Sequence, residues 1–93
     1  MKWKGQSKAE FEKNYKRVSD IVDKSNGDEE KENSLARTQA NKITDENKCI
    51  NRAMAAKEMG HENIFEVFFQ RAHELGSVST QDYREYRLSK LDL

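Results

Sequence analysis

Residues 64–75 read IFEVFFQRAHEL, and no other stretch of the 93-residue chain gathers so many large apolar side chains in so few turns. Three of the four phenylalanines lie in it. Wound as a helix, it sets Ile64, Phe65, Phe68, Phe69, Ala72 and Leu75 on one face at spacings of three and four. Glu66, Gln70, Arg71 and Glu74 fall outside that face. A chain organised around such a stripe is all-α, and its other segments read as helices that cover the stripe.

Upstream, Gly60 is a natural helix stop and residues 61–63 make a short corner, so the preceding segment should return antiparallel. That segment starts at Asp28, which can cap a helix whose first turn carries Glu29, Glu30 and Glu32 near the positive end of its dipole. From Asp28 to Met59 there is neither Gly nor Pro, and a sparse apolar stripe runs through Leu35, Ile43, Ile50, Ala53 and Met54. Thr44, Asp45 and Asn47 offer a second cap, so one long helix and two helices broken near Ile43 both satisfy the pattern. Nearer the N-terminus, Ser7 and Glu10 form a capping-box pattern ahead of Phe11, Tyr15, Val18 and Val22, with Ile21 beside them. These four are expected to pack on the aromatic helix, and Ser25, Asn26 and Gly27 close their helix. Downstream, Gly76 ends the aromatic helix. Ser79 with Asp82, and the staple pair Val78 and Tyr83, start a last helix from Thr80 to about Asp92, which offers Tyr83, Tyr86, Leu88 and Leu91. The expected architecture is a small bundle of three to five helices built from helical hairpins. It comprises a basic arm over residues 1–6 and a single helical domain over residues 7–93.

Two local likenesses point the same way. Phe68, Phe69, Gln70, Arg71, Ala72, Glu74 and Leu75, preceded by Gly60, resemble the second helix of a tetratricopeptide repeat with its inter-helix glycine. The likeness covers half of one repeat, with Cys49 where the family carries an aromatic residue and Phe65 where it carries a small one. Gly76, Val78, Ser79, Asp82 and Tyr83 are similar to the turn of short C-terminal oligomerisation hairpins. Each resemblance implies a helical hairpin, and the length excludes an array of three or more repeats.

Composition bounds the core. Apolar residues make up 34% of the chain and charged residues 37%, against about 45–50% (a figure that includes glycine) and about 25% in an average soluble domain. Leu, Ile, Val and Phe together number 17. Clustering at helical spacing and zero net charge argue against disorder. So thin a core predicts completion by oligomerisation, as a homodimer or larger assembly with the aromatic helix or residues 28–59 as the seam. The lone Cys49 allows no intramolecular disulfide. No apolar leader follows Met1 and no apolar run is long enough for a bilayer, so the expectation is a cytoplasmic protein without membrane contact.

Sharp chemistry finds little support. His61, His73 and Cys49 lack the spacing that brings metal ligands together, and no cofactor is expected. A nucleophilic Cys49 needs an adjacent base, and none is fixed beside it; Lys48 and Arg52 are its charged neighbours. Residues 1–26 hold seven basic residues against four acidic, and Trp3 lies in their most basic part, a combination that can track phosphates and stack on a base. Residues 27–48 are net acidic, and no helix concentrates positive charge as a recognition helix would.

The favoured reading is a non-enzymatic protein-binding module, a small regulator, adaptor or inhibitor occupying a surface of a larger partner protein. Phe65, Phe68, Phe69, Tyr83 and Tyr86 are its expected contact residues. The competing reading is nucleic-acid or nucleotide binding through Lys2, Trp3, Lys4 and Lys8, or through a pocket between subunits.

Overall fold

A computed structural model describes Trp3 and residues 5–91, with side chains as far as Ser89. Helix α1 spans Lys8–Ser25, α2 Glu29–Lys42, α3 Glu46–Glu58, α4 Glu62–Leu75 and α5 Thr80–Leu91. No strand occurs among the described residues. Most of the helix ends are set by short polar caps acting locally. Ser7 Oγ accepts from the Glu10 amide, Asp28 from the Glu30 and Lys31 amides, and Asp45 from the Asn47 and Lys48 amides. Asn26 and Gly76, both left-handed, close α1 and α4. Residues 28–59 are therefore two helices. The break lies at Ile43, whose extended backbone turns the chain before Asp45 recaps it.

The first four helices form two antiparallel hairpins, α1–α2 and α3–α4. In the second, Cys49 Sγ donates to the Phe68 carbonyl at 3.3 Å and Lys57 lies over the Phe65 ring. The hairpins stack with α1 on α3 and α2 on α4. α2 and α4 run in the same direction: Asn63 donates to Glu29 near their starts, and Arg71 donates to the Ala40 and Ile43 carbonyls at the end of α2. Arg71 thus adds a second donor to the Ala40 carbonyl, which also accepts from the Ile43 amide, and caps the Ile43 carbonyl at the helix end. The molecule measures 34 × 32 × 21 Å, its thin axis about two helix diameters.

The core sets large against small. Phe65, Phe68, Phe69 and Ile64 of α4 are buried with Ala53 and Ala56 of α3 and Ala36 and Ala40 of α2. Alanine lets the backbones approach closely enough for the rings to fill the space between. Of the expected apolar stripe, Ile43, Ile50 and Ala53 are buried, and Met54 is partly covered. On α2 the fully buried positions are Ala36 and Ala40, and Leu35 is only partly covered.

Helix α1 departs from its expected face. Val18 and Ile21 are buried, but with Asn14 and Ser25, whereas Tyr15 is 49% exposed and Phe11 and Val22 are half-buried. The helix is rotated because its inner side meets α3 and α2 instead of lying mainly on α4, and Asn14 bonds Arg52 of α3 and Gln6 of the preceding segment. Helix α5 folds back on α4 through a ring ladder. Tyr86 meets Phe65 at 5.2 Å, Tyr83 meets Phe69 at 5.8 Å, and His73 stacks flat on Tyr83 at 4.6 Å. Asp92, the expected end of α5, lies outside the described residues, as do the side chain of Leu91 and the arm residues Lys2 and Lys4.

Candidate binding groove between α1 and α3

Three of the five aromatic residues expected to meet a partner face the wrong way for it. Phe65, Phe68 and Phe69 are at most 3% exposed. They are the core that joins the hairpins, so a partner could reach them only by unfolding the domain. Tyr83 and Tyr86 are half-buried on those rings. Their outer edges line a shallow cleft with Asn33, Arg37, Gln70 and Arg87.

The N-terminal segment is no free arm at Trp3. The Trp3 indole N–H donates to Asn51 Oδ1 at 2.8 Å, and its ring packs on the core edge. Gln6 donates to the Asn51 carbonyl at 3.0 Å. The ring is thus anchored to α3 and partly covered, not carried on a free arm. Lys8 stands exposed in the first turn of α1, and Lys2 and Lys4 lie outside the described residues.

These contacts belong to a polar network that ties α1 to α3. Asn51 donates to Glu10 Oε2 at 3.2 Å, and Glu10 also accepts from Ser7 Oγ. Asn14 donates to Gln6 at 2.9 Å and accepts from Arg52 Nε at 3.2 Å. Arg52 Nη1 donates to Gln39 Oε1 at 3.2 Å, and the guanidinium lies over the Phe68 ring at 5.7 Å. Asn14 and Asn51 are buried, and every buried side-chain nitrogen and oxygen among the described residues has a partner. Neutral amides carry the network, and they satisfy donors at close quarters without burying a second charge.

Above the network lies an open groove of about 760 Å³, lined by Glu10, Lys13, Asn14, Lys16, Arg17, Asp20, Lys48, Asn51 and Arg52. Five of these residues are cationic and two acidic. None of the five cations forms a salt bridge to a carboxylate among the described residues. Burial lowers the Arg52 pKa from its ordinary value, and neighbouring Arg17 adds to the effect. Arg52 Nη2 has no hydrogen-bond partner among the described residues and is not sealed in, so it opens to solvent.

Cys49 is fully buried one turn before Ala53, and burial pushes its thiol up to about 12. It is held as a neutral donor to Phe68, the opposite of an activated nucleophile. Among the described residues no group of three or more His, Cys, Asp and Glu is placed to hold a metal ion, and no helix is long and apolar enough to cross a membrane.

Sequence reasoning did not assemble this groove, because its walls come from residues about 35 apart in the chain. One signal was available. Asn14 stands four residues before Val18 and eleven before Ser25, inside a helical stripe that also takes in Ile21. A polar residue in such a stripe announces a buried network. No protein family, characterised protein or solved structure matches this chain, so a functional reading has only the geometry to stand on.

Proposed function

We propose that the protein is a small non-enzymatic binding module that acts by occupying a surface of a larger partner protein, with the α1–α3 groove as its contact face. The observation that carries this is Arg52: a half-buried guanidinium bonded to two neutral amides, in a groove whose five cations form no salt bridge among the described residues. An excess of positive charge over a hydrogen-bonded floor is what a complementary surface would compensate.

The test is affinity capture from source-cell lysate with the full chain and with the double variant Lys16→Glu/Arg17→Glu. Both sites are exposed, so the fold should be untouched. A defined protein held by the parent chain after nuclease treatment, lost with the variant and rebound when purified, supports the module. Nucleic acid as the retained species would overturn it in favour of the phosphate-binding alternative.

Self-association, expected from the thin core, fits the same reading. Tyr15 and Leu88, 49% and 57% exposed, are large apolar side chains left uncovered on α1 and α5. Sedimentation at micromolar concentration tests it: an assembly is expected, and a stable monomer would refute it.

A further inference from the structure

We infer that the segment received by the groove is a short acidic stretch of polypeptide, with one carboxylate on the open Nη2 side of Arg52 and its neighbours on Lys13, Lys16, Arg17 and Lys48. This rests on the binding-module reading and adds the chemistry of the occupant.

Three observations carry it. The first is the open edge of the Arg52 guanidinium. Its Nε and Nη1 are spent on Asn14 and Gln39, which fix the plane of the guanidinium, while Nη2 is left open to solvent. A planar donor held in advance suits a carboxylate, since less side-chain freedom is lost on contact. The second is the crowding of like charge. Arg17 disfavours the charged form of Arg52, so an anion between them relieves a repulsion already present in the free protein.

The third observation sets the length and decides between two kinds of polyanion. Glu10 and Asp20 both line the groove on the α1 side, with Lys13, Lys16 and Arg17 between them. Ten residues of helix separate them by about 15 Å, the length of four or five extended residues. Glu10 is held at its end by Asn51 and Ser7. A nucleic-acid strand, charged at every step, would carry phosphates past both carboxylates. A peptide can confine its charge to the window and run on with neutral or basic residues. Zero net charge on the chain likewise removes the long-range pull on a polyanion that nucleic-acid binders use.

The experiment is a titration of the full-length ¹⁵N-labelled chain followed by backbone amide and arginine Nε–H shifts. The probe is an end-blocked peptide with four central glutamates between Gly and Ser flanks. Two comparison ligands are the same peptide with glutamine for glutamate and a single-stranded oligothymidylate. The expected result is saturable shifts confined to residues 13–17 and 48–52 and to Arg52 Nε–H. Affinity should fall about fivefold or more in Arg52→Gln and in Lys16→Glu/Arg17→Glu. It should also weaken as salt rises from about 0.02 M to about 0.2 M. Because Arg52 is part of the α1–α3 network, the exposed double variant keeps the test valid if Arg52→Gln loosens the fold.

Equal binding of the glutamine peptide, tighter binding of the oligothymidylate at the same amides, or no response to the glutamate peptide would overturn the inference. The last result alongside a purified partner that still needs Lys16 and Arg17 would remove the acidic-segment chemistry and leave the module standing. A glutamate peptide that binds as expected, with no captured protein that depends on Lys16 and Arg17, would instead remove the module.

Discussion

Arg52 on α3 donates its Nε–H to Asn14 Oδ1 on α1 at 3.2 Å, and Asn14 in turn donates to Gln6. One buried amide thus joins the N-terminal segment, the first helix and the guanidinium at the floor of the groove. Replacing it removes two hydrogen bonds and leaves two partly buried partners behind. Asn14→Ala should cost about 1–3 kcal/mol, read as a lower urea midpoint with an unchanged slope. Wild-type stability would show that the network is incidental to the α1–α3 contact.

The reassignment of the phenylalanines from surface to core makes a sharp contrast between two rings. Phe68 is completely buried and Tyr15 is 49% exposed. Phe68→Ala should destabilise by about 3–5 kcal/mol, enough to unfold much of a domain this small. Tyr15→Ala should stay within about 0.5 kcal/mol. Thermal unfolding of the two variants side by side would expose the burial assignment as wrong if their order were reversed.

Burial of Cys49 leads to a pH dependence with a definite sign. The folded thiol is raised to about 12, whereas an exposed thiol ionises near 9.0. Below the lower value both states hold the proton and the contribution to stability is complete. As pH climbs between the two, the unfolded chain loses the proton while the folded chain keeps it, so stability falls by about 1.4 kcal/mol per pH unit from this group. The loss should be absent from Cys49→Ala, so the gap between the two stability curves measures it. Parallel curves would refute the assignment. At neutral pH a maleimide should leave the native thiol unmodified and label it only on unfolding.

Trp3 provides an optical report on the N-terminal contact. With its indole N–H on Asn51 and its ring on the core edge, its emission should be blue-shifted in the folded state and move red in urea together with the helical signal. Asn51→Ala should shift the native emission red without abolishing the fold, and should cost about 1 kcal/mol or more, since it also releases Glu10. A red-shifted wild-type spectrum would mean that Trp3 is free in solution.

Much of the fold was legible in local chemistry. Ser7, Asp28, Asp45, Ser79, Gly60 and Gly76 act within a turn of where they stand, so a reader of the chain places most helix boundaries from them. The aromatic helix announces itself by spacing, and it is the buried centre of the second hairpin. What local chemistry does not carry is which side of each helix looks inward. On α1 a stripe through Phe11, Tyr15 and Val22 and a stripe through Asn14, Ile21 and Ser25 both include or flank Val18. Only the positions of α3 and α2 select the second.

The all-helical class, the caps and the aromatic helix were therefore determined by the sequence itself, because each depends on residues three or four apart whose geometry one helix dictates. The tertiary structure alone decided that the phenylalanines are core rather than contact surface, that Trp3 is docked, and that Arg52 stands in a mainly cationic groove with no salt bridge among the described residues. Each of those depends on residues about 19 to 48 apart in the chain, and their meeting is set by how two hairpins stack, which no local propensity specifies.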